Sequence, residues 1–207
     1  MRKYLLLLTM MASAVAVQAQ GEVGKLTFMP KVGVNISTLA GEDQYYVNDK
    51  LESKNRIGVV AGIEGEYQMS DLLGLSVGVL YSLQGNKYSD VTYRKNYTST
   101  FHGINVPVML NCYIVKGLAV KAGLQAGYAI NKRESYDLYV DKAWGSFASS
   151  GSIFNSFDIG VPVGLSYDFD NIRLDVRYNY GLTSISKLDG MPAAHHRVIQ
   201  VSLGYRL

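Results

Sequence analysis

Ile172-Arg173-Leu174-Asp175-Val176-Arg177-Tyr178-Asn179-Tyr180-Gly181-Leu182 is apolar or aromatic at every even-numbered position. Every odd-numbered position is charged, amide or glycine. In an extended chain successive side chains point to opposite faces, so one face here is wholly apolar and the other heavily charged. A helix would scatter the same residues around its axis. The stretch predicts a β-strand held between an apolar and a polar environment.

The same period of two recurs along the chain. It runs through 28–36, 57–67, 75–83, 104–110, 118–130, 157–167 and 199–207. These make eight strands, most of a length that crosses a bilayer at a tilt, for which ~9–11 residues suffice. The connections alternate in length. Short turns are predicted at 70–73, 115–117 and 168–171, and long polar segments at 39–56, 86–100, 131–155 and 183–196. That alternation is expected of a transmembrane barrel with tight periplasmic turns and long external loops. The predicted fold is therefore all-β: an eight-stranded antiparallel up-and-down transmembrane barrel.

Two further patterns bear on which face meets lipid. If the strands run alternately up and down, the outward aromatics gather at two levels. Phe28, Tyr67, Tyr167 and Tyr205 fall at the periplasmic rim, and Tyr81, Tyr128, Phe157, Tyr178 and Tyr180 towards the outer rim. Such girdles sit at headgroup level. The opposite face carries glycine together with charges of both signs. Lys31, Lys121, Arg173, Arg177 and Arg206 stand against Glu64, Glu66, Asp158 and Asp175. Buried charges persist only when paired, so this face is expected to close the lumen with an ion-pair network. A soluble lipocalin-like barrel would reverse the two faces. An open aqueous channel is not expected from eight strands.

The ends and the composition agree. Arg2 and Lys3 precede an apolar run from Leu5 to Val17, and Val17-Gln18-Ala19 has small residues where a signal peptidase reads. Residues 1–19 are expected to be an export signal, leaving a mature barrel domain over 20–207. The formal charge is +3, and loss of Arg2 and Lys3 leaves +1, which gives no support for nucleic-acid binding. Cys112 is the single cysteine, so no intramolecular disulfide forms. By parity it faces lipid or lies near the periplasmic rim.

The mature chain resembles the small outer-membrane β-barrel proteins of Bacteroidetes, grouped as PorT-type or porin-family barrels. The resemblance rests on Pro30-Lys31-Val32-Gly33-Val34-Asn35, Asn105-Val106-Pro107-Val108-Met109-Leu110, Gly160-Val161-Pro162-Val163-Gly164-Leu165 and the end Val201-Ser202-Leu203-Gly204-Tyr205-Arg206-Leu207. It implies residence in the outer membrane of a Gram-negative bacterium, with outer-membrane lipids as surroundings. The C-terminal strand is similar to the signal read by the barrel-assembly machinery, although it ends in Leu207 where the usual residue is aromatic. Members of the type-named branch are linked to secretion of surface cargo; no residue here carries that role specifically.

No catalytic, cofactor-binding or metal-ligating set is expected. His102, His195 and His196 fall near the outer rim, but nothing around Ser184, Ser186 or Asp189 has the nucleophile–base–orienter pattern of a hydrolase. A structural or surface-interaction role is the leading expectation. A narrow porin and a lipid A-modifying enzyme are the alternatives. Tyr45, Tyr46, Tyr88, Tyr93, Tyr97, Tyr136, Tyr139 and Trp144 crowd the long loops. They form a recognition surface for an extracellular protein or glycan, or they extend the sheet and pack on one another. Pro107 and Pro162 lie inside predicted strands and are expected to sit at bulges.

Overall fold

The computed structural model describes residues 22–41, 44–46, 49–140, 143–150, 155–184 and 194–207. The predicted export signal and part of the last long loop, including Ser186 and Asp189, lie outside these residues. The described chain is all strand: β1 (Leu26–Gly41), β2 (Gln44–Tyr46), β3 (Asp49–Leu51), β4 (Ser53–Lys54), β5 (Arg56–Gln68), β6 (Leu73–Tyr88), β7 (Arg94–Val115), β8 (Leu118–Val140), β9 (Ala143–Ser150), β10 (Phe157–Phe169), β11 (Ile172–Gly181) and β12 (Ala194–Tyr205).

Ten of these strands form one antiparallel sheet that closes on itself, because β10 pairs with both β11 and β8. β4 and β9 lie off the ring, so eight strands close it, in the order β1-β5-β6-β7-β8-β10-β11-β12. Ring neighbours follow chain order, as the short turns require. Closure leaves no unpaired edge in the ring, which satisfies every strand's backbone groups without water.

The alternation read from the sequence holds through the ring. Val32, Val59, Ile63, Val77, Val108, Leu124, Leu165, Val176 and Leu203 all point outward and are exposed. Lys31, Glu64, Lys121, Arg173, Asp175 and Arg177 point inward and are each at most 4% exposed. This protein is apolar outside and charged inside, the reverse of a soluble barrel.

The tight turns are local chemistry. Gly117 takes φ +83° between β7 and β8, and Asp170 takes φ +53° between β10 and β11. Both are left-handed conformations that glycine, and to a lesser degree Asp, adopt at low cost. The inward glycines do something different. A Cβ on Gly123 would run into the Val108 carbonyl oxygen, and one on Gly164 into that of Val176. The neighbouring backbone occupies the space a side chain would need, which lets a narrow barrel curve sharply.

Three expectations need correction. The segments 86–100 and 131–155 are not mainly loops. β6, β7 and β8 run on past the outward apolar band, and β8 folds back through β9, pairing Arg133 with Ser150 up to Val140 with Ala143. Polar and aromatic residues stand on both faces there, so the period of two disappears although the ladder continues. Pro107 and Pro162 cause no bulge. The β6–β7 register is the same on both sides of Pro107, and the β8–β10 register the same on both sides of Pro162, with two local pairs missing in each ladder. Gly78 faces the Pro107 ring, so no side chain opposes it there. Real register shifts occur instead within β7–β8, at Lys95/Thr98, His102/Gly103 and Tyr113/Val115. Finally, Asp168 belongs to β10 and not to a turn, since it pairs with Arg173 in the β10–β11 ladder.

Candidate functional site: the closed lumen and the strand extension above it

The inward charges form two clusters stacked along the lumen. In the first, Lys31 Nζ lies 2.8 Å from Glu64 Oε1 and 3.1 Å from Asp175 Oδ2. Lys121 Nζ lies 3.1 Å and 2.7 Å from the same two atoms. Arg177 takes the remaining oxygens, with Nη2 3.1 Å from Glu64 Oε2 and Nε 2.9 Å from Asp175 Oδ1. Strands β1, β5, β8 and β11 meet here across the barrel.

The second cluster lies towards the tight-turn end. Arg173 donates from Nε to Asp168 Oδ1 (2.5 Å), from Nη2 to Asp168 Oδ2 (2.8 Å) and Tyr113 Oη (2.7 Å), and from Nη1 to Glu66. Tyr113 also donates to Glu66, and Asn111 Nδ2 reaches Glu66 Oε2 at 2.8 Å. Arg206 Nη2 lies 2.6 Å from Asp168 Oδ2. The described N-terminal segment and the C-terminus close this same end, where Leu207 N donates to Phe28 O and Gly24 N to Gln68 O.

Eight of the nine lumen residues singled out from the sequence thus join the two clusters. Asp158 does not. It is half-buried near the far end of β10, opposite Gly127, ten residues or ~33 Å of strand from Asp168. It lines a small internal cavity of about 20 Å³ with Ser82, Gln84, Asn105 and His196, room for about one water. Asp168, Tyr113 and Asn111 join the second cluster without being among the residues expected there from the sequence. Asp168 falls in a predicted turn, yet it continues the inward parity of Ser166, and that parity is legible in the sequence. Tyr113 and Asn111 also share the inward parity of β7, but their shared target, Glu66, is set by the register.

The outward aromatics Phe28, Tyr67, Tyr81, Tyr128, Phe157, Tyr178, Tyr180 and Tyr205 are exposed, and Tyr167 partly so. Phe28, Tyr67, Tyr167 and Tyr205 lie in the ladder beside the tight turns: Tyr67 pairs with Leu26, Tyr167 with Leu118 and Tyr205 with Ile172. Tyr128 pairs with Phe157 at the opposite end of the β8–β10 ladder. Cys112 is exposed on the outer face.

The histidines occupy three different environments. His102 Nδ1 is 2.7 Å from Tyr81 Oη. His195 lies parallel to the Tyr180 ring, and His196 points into the lumen edge-on to Phe101. Both fall within β12 rather than before it, because β12 begins at Ala194.

Above the ring, the extension of β6, β7, β8 and β9 has its own packing. Tyr88 and Tyr97 stack at 4.5 Å, Tyr136 meets Tyr97 edge-on, and Phe147 stacks on Tyr136. The Arg94 guanidinium sits 3.7 Å over Tyr97 and 4.3 Å over Tyr136. Burial pushes the Tyr97 hydroxyl up to about 12 and raises the Glu134 carboxyl above its ordinary range. On the other face Lys95 Nζ is 4.5 Å over exposed Trp144, beside exposed Tyr139. The aromatics divide: Tyr88, Tyr97, Tyr136 and Phe147 pack on one another, while Tyr139 and Trp144 remain exposed. The side chains of Tyr45 and Tyr46 lie outside the described residues.

A closed ring with an apolar exterior and paired charges inside defines a transmembrane β-barrel. The chain belongs to the outer membrane protein β-barrel domain family, whose model matches residues 18–187. No curated protein sequence matches it. Among solved structures it is similar to Ail, the attachment invasion locus protein of Yersinia pestis, at 16% identity and a TM-score of 0.50, covering 90% of this chain and 100% of that one. It is similar also to Neisserial surface protein A, at 14% identity and a TM-score of 0.53, covering 88% and 99%. These likenesses show the fold.

Proposed function

We propose that this protein is a closed outer-membrane barrel that acts through its loop-end surface and passes no solute. One observation carries the reading: two stacked ion-pair clusters bridge opposite walls of the lumen with side chains that are almost fully buried. An eight-stranded barrel is only wide enough for its own side chains or one small ligand, and here side chains take that space. The β8–β9 extension, with Tyr139 and Trp144 exposed, then offers the surface on which an extracellular protein or glycan is met. In this reading the chain has no catalytic role.

The remaining placement follows from the same picture. Residues 1–19 export the chain and are removed, the barrel-assembly machinery inserts it, and the tight-turn end faces the periplasm. The outward aromatics contact lipid headgroups. The motifs around Pro30, Pro107 and Pro162 support a kinship with the PorT-type or porin-family barrels of Bacteroidetes.

Planar-bilayer recording on the refolded mature chain tests the closed lumen. No sustained openings are expected; steady conductance would replace this reading with a narrow porin. A photo-crosslinker at Trp144 in intact cells tests the surface. Specific crosslinks that vanish when it is moved to lipid-facing Leu124 support a loop-end partner, and their absence counts against one.

A further inference from the structure

We propose that the lumen holds one small inorganic anion, of halide size, against Arg177 and Gln200. The argument begins with charge. In the tight-turn cluster Arg173 and Arg206 are matched by Glu66 and Asp168. In the other, Lys31, Lys121 and Arg177 face only Glu64 and Asp175, which leaves one positive charge in excess. All five of those side chains are at most 1% exposed, so solvent does not screen the excess. An uncompensated buried charge is strongly unfavourable.

The second observation is independent and points to where compensation belongs. Arg177 Nη1 is buried and makes no hydrogen bond, although Nε and Nη2 are engaged. Gln200, its direct neighbour in the β11–β12 ladder, is 1% exposed, and its Nε2 is likewise unpaired. On the other side of Arg177 the ladder neighbour is Gly164, which brings no side chain into the lumen. Two unpaired, buried N–H donors therefore belong to directly paired positions of the ladder, one of them on the cluster with the surplus charge. Both nearby carboxylates are already committed to the cations. Asn179 Nδ2 and Oδ1 are also buried and unpaired. Water suits such a mixed amide, but water carries no charge and cannot cancel the excess. A monoanion does both at Arg177: it accepts from the guanidinium and the amide, and it balances the cluster.

This inference shares the closed lumen with the reading above but is tested separately. The mature chain is refolded in detergent in sodium chloride, in sodium bromide and in sodium gluconate at equal ionic strength. The temperature at which the heat-modifiable folded band is lost is then compared. Halide is expected to raise it by roughly 2–4 °C over gluconate, the shift of a modest ligand linkage. Gln200→Glu supplies the missing negative charge beside Arg177, and Lys31→Met removes the surplus from the other side. Each is expected to abolish the halide dependence, so failure of one variant to fold leaves the other to decide. Crystals grown in bromide should show anomalous density within hydrogen-bond distance of Arg177 Nη1. Equal transition temperatures in halide and gluconate, or no bromide at Arg177, overturn the proposal. A conducting but halide-sensitive barrel would overturn the closed-lumen reading alone.

Discussion

Lys31 and Lys121, ninety positions apart in the chain, hold the same two carboxylate oxygens, Glu64 Oε1 and Asp175 Oδ2, within 3.1 Å. The four groups form an alternating quadrilateral, and Arg177 ties its outer corners. Two ammonium groups can approach this closely only because each is flanked by carboxylates. The arrangement therefore makes each carboxylate more critical than either lysine.

The first prediction follows from that asymmetry. Asp175→Asn leaves three cations against Glu64 and is expected to cost about 3–5 kcal/mol, the penalty for breaking a buried pair. Lys121→Met leaves the cluster neutral and is expected to cost clearly less. Urea unfolding in detergent micelles ranks the two, and a larger loss for Lys121→Met contradicts the charge accounting.

Close strand contact makes the second prediction. Gly123→Ala drives a Cβ into the Val108 carbonyl, whereas a Cβ on Gly65 meets the Phe28 ring edge at 3.5 Å and Leu26 Cδ1 at 3.8 Å, ordinary contacts. Gly123→Ala is expected to lose ~1–3 kcal/mol or to fail to fold, in the range of overpacking. Gly65→Ala should fold normally. Yield of the heat-modifiable band reads both.

Arg94 anchors the extension through two rings. Arg94→Ala removes both cation–π contacts, an effect of about 0.5–2 kcal/mol confined to β7, β8 and β9. Limited proteolysis should cut between 131 and 155 faster while the barrel core stays resistant. Unchanged cutting would show that the extension does not depend on this packing.

Acid should firm the same extension. Burial raises the Glu134 carboxyl above its unfolded value, with Arg94 and a hydrogen bond from Tyr97 opposing. A carboxyl raised on folding contributes stability that is fully present below its unfolded pKa and is lost as pH rises through the folded one. Hydrogen exchange along β8 and β9, compared at each pH with Glu134→Gln, is expected to show wild type approaching the variant in acid and diverging at neutral pH. Parallel profiles at all pH values would count against it.

Deletion of 131–155 with a short turn in its place should leave the ring intact. Among the described residues β9 pairs only with β8, and β8 reaches β10 through residues 118–128. Heat-modifiable migration checks the outcome.

The amphipathic character of all eight ring strands was legible because each one carries the period of two within its own residues, as Ile172–Leu182 does. The direction of the faces was legible too, since charges of both signs could not be left in hydrocarbon. The extension was not: Tyr97, Glu134 and Tyr136 share it with aromatic, charged and polar residues on both faces, so no apolar–polar alternation marks the strands there. The prolines misled for a related reason. A lost donor does not require a bulge; a local gap in the ladder with unchanged register is enough.

What the residue order determined alone is the local rule: which side chains of each strand point out, which point in, and where the chain turns. It could not say that Lys31 meets Glu64 and Asp175, or that Asp158 stands apart from both clusters. Those meetings depend on how far each strand is slid past the next around a closed ring. Only the assembled ladder, with its three register shifts in β7–β8, sets that stagger and so chooses which charges share a level.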